Sequence, residues 1–318
     1  MKKYTVLSIL GIIAVVAIVL TIHISKVNLT INGITAAGDN SKPKIINVNL
    51  SNFDAIDCEV AEANVQVVAG SNYSIKIVNS DKSRKINYQV SNDKLTVTGQ
   101  TNPSAKVDVD LNLNGDYSSN TITITVPADK KLSFTNIKTD YSNIDIENIA
   151  ADTVTLNTQD GTCTVDKMQC DTVVVSDSNG KIYLNNIVSN SVNADSENGD
   201  IKLSNCNLVK CSLKNNNGAI AADNLTSSGL TVKEMEKDIS LLGKFSGVTR
   251  IESESGKINL KTDLAEKLYD INANNQDGIT YVNDTPVSNR YTESNNAKNR
   301  LSVTNKYNDI KLYFSAQQ

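Results

Sequence analysis

Asn179-Gly180-Lys181-Ile182-Tyr183-Leu184 is followed, at a 19-residue interval, by Asn198-Gly199-Asp200-Ile201-Lys202-Leu203, and the pattern returns at Ser255-Gly256-Lys257-Ile258-Asn259-Leu260. Ile182 and Ile201 belong to a column at that spacing: Ile144, Cys163, Ile182, Ile201, Ile220, Ile239 and Ile258. Two positions on runs a second column of Ile146, Val165, Leu184, Leu203, Ala222, Leu241 and Leu260. Ten positions after the first comes a third: Val154, Val173, Val192, Cys211, Leu230, Thr249 and Leu268. A fourth, at twelve, reads Leu156, Val175, Ala194, Leu213, Val232 and Ile251, then fails at Asp270. Self-similarity at a fixed period of this length marks a stacked repeat, in which each unit buries its apolar face against its neighbours.

The apolar-x-apolar pairs have the period of strands, and a 19-residue unit cannot hold a pair of helices. Gly161, Gly180, Gly199, Gly218 and Gly256 sit two positions ahead of the first column, and Gly199 is expected to hold a left-handed turn. A further apolar site at Ile149, Met168, Ile187, Cys206 and Leu225 suits a corner or a short third face. Asn-Gly between strands also signals a hairpin, so an antiparallel meander is the competing architecture. The glycine turn comes once per repeat, however, and like residues fall in like columns. Both observations favour parallel coils, seven or eight of them over about 35–40 Å. Lys237 breaks the glycine column, and the register slips at 271–282, where either Ile279 or Thr280 could point inward. Leu301, Val303, Ile310 and Leu312 then restore the spacing as a last coil.

Only 5% of the chain is aromatic and there is no Trp, so the core must be built from Ile, Val and Leu. The formal charge is −4, with both signs interspersed and none of the basic clustering that nucleic acid requires. Residues 4–25 carry no formal charge apart from His23, come directly after Lys2 and Lys3, and are long enough to cross a bilayer as one helix. The positive-inside rule places the chain beyond that helix outside the cell. A cleaved signal peptide is the rival reading, but no clear small-x-small site succeeds the apolar run. The expected division is a cytoplasmic tail at 1–3, a transmembrane anchor at 4–25 and a linker at 26–50. An irregular β segment of capping coils at 51–138 comes next, then the 19-residue repeats at 139–315 with a polar loop at 283–300.

Chemistry-bearing residues are sparse. Cys163, Cys206 and Cys211 fall on inward columns and read as small core residues, beside Cys58 and Cys170. Cys206 and Cys211 share a coil and could bridge only across a tight corner. The one histidine, His23, lies in the apolar segment, and no spacing resembles a zinc site. β-Helices can carry polysaccharide lyases and glycosidases, whose sites need two or three converging carboxylates or calcium. The nearest candidates are Asp177, Asp195, Glu197 and Asp200, with Asp195 at an 18-residue interval from Asp177, so that neighbouring coils would bring them close. No arginine accompanies them, and Lys181 and Lys202 can simply balance the surface charge. No catalytic, cofactor-binding or metal-ligating residue is therefore assigned, and no cofactor is expected.

The apolar N-terminus, the irregular β segment, the strand end Ile124-Thr125-Val126-Pro127-Ala128 and the repeated Asn-Gly-x-Ile-x-Leu units together resemble the bacterial putative-adhesin family of β-strand-repeat domains. The resemblance covers roughly residues 50 to 315. It implies a right-handed parallel β-helix at a cell surface and carries no catalytic residue over. The expected function is non-catalytic surface binding or scaffolding, anchored in the membrane, with a cell-wall glycan or another envelope protein as partner and no nucleic acid. A regulatory ectodomain in envelope-stress signalling is the alternative the resemblance brings.

Overall fold

A stack of coils must turn the same corners at the same residues, and the inward side chains show where those corners lie. In a computed structural model describing residues 43–79, 85–100 and 120–316, the buried residues of one repeat step by two along a face. They step by three between Leu184 and Ile187, and again between Ser189 and Val192. Each three-residue step is a corner, so a coil has three faces. The expected site at Ile187 opens the short middle face. The expected tail at 1–3 and anchor at 4–25 lie outside the described residues, and so does the linker at 26–50 except from residue 43 onward.

The fold is all-β, with one 3₁₀ turn at Glu266–Leu268 among the described residues. Ten strands build the N-terminal end: β1 (Lys44–Asn49), β2 (Ala55–Glu59), β3 (Asn64–Gly70), β4 (Ser74–Asn79), β5 (Lys85–Ser91), β6 (Lys94–Gln100), β7 (Thr121–Pro127), β8 (Lys131–Lys138), β9 (Ile144–Glu147) and β10 (Ala150–Thr158). The repeats proper are five 15-residue strands that bend around their corners: β11 (Cys163–Asp177), β12 (Ile182–Ser196), β13 (Ile201–Asn215), β14 (Ile220–Glu234) and β15 (Ile239–Ser253). These pair in parallel, Cys163 beside Ile182 beside Ile201 beside Ile220 beside Ile239. Parallel pairing at the 19-residue offset excludes the antiparallel meander. Each column isoleucine is buried between its equivalents, a position that stabilises by about 2–3 kcal/mol relative to exposure.

Two further columns run through the corners. Asn148, Lys167, Asn186, Asn205 and Asn224 all have φ between 53° and 57°. This left-handed conformation redirects the strand just before the short face, and Asn tolerates it better than most residues. The side chains also stack, with Asn224 Nδ2 donating to Asn205 Oδ1 at 2.8 Å and Asn186 Nδ2 to Asp166 Oδ1 at 2.6 Å. The glycine column is different. Among the described glycines, left-handed φ is confined to Gly243 and Gly247, so Gly199 does not hold a left-handed turn. A Cβ at Gly199 would lie 1.5 Å from the carbonyl oxygen of Gly180, and one at Gly180 would lie 1.7 Å from that of Gly161. Glycine is required there because turn sits directly on turn.

The C-terminal end is built from β16 (Ile258–Ala265), β17 (Tyr269–Asn275), β18 (Thr280–Val282), β19 (Thr285–Val287), β20 (Arg290–Glu293), β21 (Asn299–Asn305) and β22 (Ile310–Ser315). The coil of Leu301, Val303, Ile310 and Leu312 exists, but it is not last in space. β21 slips between β15 and β17, and β22 between β16 and β18. Leu301 rather than Leu268 therefore continues the third column over Thr249, and Leu268 is 43% exposed at the 3₁₀ turn. Thr280 points inward beside Ile310, and Ile279 faces out. Residues 283–300 include β19 and β20, which pair antiparallel with β18 and β17 and cover the end of the stack.

The N-terminal end follows the same logic. β2 lies between β6 and β8, and β3 between β7 and β9, so the first coil is enclosed by later ones. Antiparallel strands finish the edge, β5 on β6 and β4 on β7, with β1 outside β4. Reversing direction ends the parallel template, which limits the edge-to-edge association that an open parallel edge invites.

Two substitutions at adjacent residues test the register. Ile201→Asp puts an unpaired carboxylate into an apolar column and should cost several kcal/mol. Lys202→Asp on the outer surface should change stability by less than about 0.5 kcal/mol. Comparable shifts in the urea midpoint would contradict the column assignment. At the glycine turn, Gly199→Ala should already destabilise by about 2 kcal/mol or more, because the clash begins at Cβ. A thermal melt of Gly199→Ala matching the wild type would show that the turns are not in contact.

Candidate functional site

The four acidic candidates do not converge. Strand pairing sets Asp177 beside Ser196 and Ser176 beside Asp195, so Asp177 points into the core and Asp195 to the outside. Asp195 lies 3.3 Å from Lys214, in an exposed ion pair worth little. Asp200 accepts from the Ala219 N–H at 3.1 Å and sits 3.5 Å from Lys202, while Glu197 is exposed at the turn. An 18-residue interval therefore puts two acids on opposite sides of one wall, where a 19-residue interval would have stacked them.

Asp177 belongs to a buried polar column, Thr158, Asp177, Ser196, Asn215, Glu234 and Ser253, that closes the turn of every coil. Each side chain accepts from the backbone N–H three positions on. The distance is 2.7 Å from Gly180 to Asp177 Oδ1, 3.1 Å from Gly199 to Ser196 Oγ, and 2.9 Å from Gly218 to Asn215 Oδ1. At Lys237, where the glycine column breaks, Glu234 Oε1 takes the same role at 2.6 Å. The second polar atom distinguishes the members. Asn215 Nδ2 donates to the Gly199 carbonyl of the preceding turn at 2.6 Å, and Asn305 Nδ2 to that of Gly256 at 2.8 Å. Asp177 Oδ2 occupies the corresponding place without a hydrogen-bond partner. Burial raises its carboxyl to about 6, against the lowering effect of the Gly180 and Asn179 N–H donors, because only the protonated acid can donate. A polar residue three before a glycine is visible in the sequence, but a search for apolar columns passes over it.

The cysteines also lie inside. All five are free and buried, and burial raises every thiol, Cys58 to about 12. Cys206 Sγ donates to the Leu184 carbonyl at 3.3 Å rather than bridging to Cys211. Among the described residues, no group of three or more His, Cys, Asp or Glu is disposed to hold a metal ion.

The concave features lie on the outside of the third face. A groove of about 600 Å³ crosses β13, β14, β15, β21 and β17, lined by Lys214, Lys233, Glu252, Thr304, Asn274 and Lys306, among others. Lys233 lies 2.9 Å from Glu252 and Lys306 lies 3.0 Å from Glu254, all four being exposed. On the same face a second groove, of about 270 Å³, holds Arg250, Arg300 and Asp270. Asp270 Oδ1 accepts from the N–H groups of Ala297 and Asn295, and those donors, with the Arg300 charge as a lesser cause, hold its carboxyl below the usual range. Along the chain the charges alternate in sign. Parallel stacking and the interleaved strand β21 bring these basic residues together, and their outward columns were the signal that could have found them.

The unpartnered Asp177 carboxylate gives a pH-dependent prediction. Its folded pKa is raised above the unfolded value, so its contribution to stability is complete below about 4 and is lost as pH rises through about 6. Asp177→Asn keeps the Oδ1 acceptor and supplies a donor. It should stabilise the fold at pH 7.5 by about 2 kcal/mol, taking about 1.4 kcal/mol per pKa unit, and the gain should shrink towards pH 4. Melts of both proteins across that range would show an unchanged difference if the carboxylate is already satisfied.

A crystal structure of a putative adhesin from Parabacteroides merdae ATCC 43184 is 12% identical, with 87% of this chain and 98% of that chain covered and a TM-score of 0.46. One of a putative adhesin from Bacteroides fragilis NCTC 9343 is 13% identical over 86% and 97% of the two chains, with a TM-score of 0.37. A putative lipid binding protein from Parabacteroides distasonis ATCC 8503 is 11% identical over 86% and 97%, with a TM-score of 0.42. No curated protein matches. Residues 53–313 match the Toastrack DUF4097 family, and the chain belongs to that family.

Proposed function

We propose that the chain is a membrane-anchored surface protein that binds or scaffolds without catalysis, through the outer side of its third face. One observation carries this reading: the 600 Å³ groove is built from residues of five adjacent strands, so it presents an extended track and not a closed pocket. Such a surface suits a long ligand held by many weak contacts, and clustering on a membrane raises its avidity further. The acids that could have served hydrolysis are committed elsewhere, Asp177 to a turn and Asp195 to Lys214. In this reading residues 4–25 anchor the chain, the coils wind right-handed, and the face is displayed outside the cell.

Residues 43–318 form one compact unit and are expected to fold when produced alone. That fragment should bind isolated envelope material and show no turnover of uronate polysaccharides or wall glycans, with or without calcium. Reproducible cleavage lost on Asp177→Asn and Asp195→Asn would contradict the proposal in favour of a hydrolase or lyase. Specific crosslinking to a membrane protein, without binding to any wall polymer, would replace it with a regulatory ectodomain.

A further inference from the structure

The third face carries an uneven charge. Across the six strands β13, β14, β15, β21, β17 and β20, its outward positions include Lys210, Lys214, Lys233, Arg250, Arg300 and Arg290, all exposed. Only Glu252 and Asp270 oppose them there, although the chain as a whole carries a net charge of −4. Three of the four arginines of the sequence sit in this region. Neighbouring strands lie about 4.8 Å apart, so the cations form a stripe roughly 24 Å long, directed along the stack. From β13 to β21 there is at least one cation on every successive strand.

Between the cations the middle column reads Ser212, Thr231, Arg250, Ser302, Asn272 and Thr292, hydroxyls and amides flanking one guanidinium. No aromatic side chain occupies an outward position in this region, so there is no platform on which a base could stack. Val248 is the one large apolar side chain there, 38% exposed, which is too little to enter a lipid surface. The ion pairs of Lys214 and Lys233 are solvent-exposed and cheap to exchange for an incoming anion. Guanidinium groups grip phosphate oxygens in a bidentate manner, and neighbouring hydroxyls and amides can serve a polyol.

We infer that this stripe docks a linear polyol-phosphate chain laid along the stack, one phosphate near Arg250 and Arg300 and others over the lysines of β13 and β14. The inference rests on the surface-binding reading above and names the ligand chemistry of the same face.

Binding of the full-length protein, held in a neutral detergent, to poly(glycerol phosphate) at several salt concentrations tests it. Arg250→Gln/Arg300→Gln should weaken binding at least tenfold at low salt. It should also make the log–log salt dependence shallower by about 1, since each phosphate contact on a single-chain polyanion contributes roughly 0.7. Lys202→Gln/Lys261→Gln removes the same charge from another face and should leave affinity unchanged, and unaltered melting of both variants controls for folding. Equal losses from the two pairs would reduce the effect to net charge and overturn the inference. So would oligothymidylate binding as tightly as the polyol phosphate, or anionic vesicles being the one probe whose capture depends on Arg250 and Arg300. Binding to a neutral wall glycan, insensitive to the arginine pair, would overturn the inference and leave surface binding standing. Failure to bind any envelope component would remove both.

Discussion

Each coil must repeat the backbone path of the coil beneath it at the spacing of a hydrogen bond. That constraint is tightest at the glycine turn, where a Cβ on Gly199 would come within 1.5 Å of the Gly180 carbonyl oxygen. The rest of the structure adapts to it. Once turn sits on turn, equivalent residues must stack, and an apolar column then becomes self-consistent because every member meets its own kind. Polar groups in the core are tolerated on the same terms. Thr158, Ser196 and Asn215 are buried because each has a fixed backbone N–H to accept from. Asp177 fills that role with the wrong charge, and the strain shows in its raised carboxyl pKa.

Where the constraint is lifted, the chain departs from sequence order. At both ends a coil is enclosed by segments distant in the chain, β2 and β3 at one end and β21 and β22 at the other. Register shifts occur between β14 and β15 and between β16 and β22. Buried Phe245 and Tyr269 lie in this region, the Tyr269 hydroxyl donating to the Phe245 carbonyl. Antiparallel strands then close each end. The placement of β21 also has a functional consequence, since it brings Arg300 onto the face that already carries Arg250.

The legibility of the sequence follows this division. Columns from Ile144 to Ile258 are local and periodic, so the parallel coils can be read directly. The strand order at the ends depends on pairings between distant parts of the chain, such as Thr249 with Leu301, which no period reveals, and so the period puts Leu268 where Leu301 belongs. Reading Gly199 as a left-handed turn mistakes one property of glycine for another. The left-handed positions are the asparagines at 148, 186, 205 and 224, whose period is equally visible. Pairing Asp177 with Asp195 rests on proximity alone and neglects the alternation that sends adjacent residues to opposite sides. The basic face is illegible because its charges come from six strands and meet only once the stacking order is known.

The central claim is one strand spacing per 19-residue repeat, with β21 inserted ahead of β17. Spin labels on the outward residues Asn136 and Ser302 test both parts at once, because the native thiols are buried and the register between the two sites is seven strand steps. At about 4.8 Å per step the separation should be roughly 34 Å. The pair Asn136 and Asn272 should lie one step farther apart, at roughly 38 Å, although Asn272 precedes Ser302 in the chain. A markedly longer first distance would indicate two strand steps per repeat, as in a meander. A second distance shorter than the first would show that the coils stack in chain order.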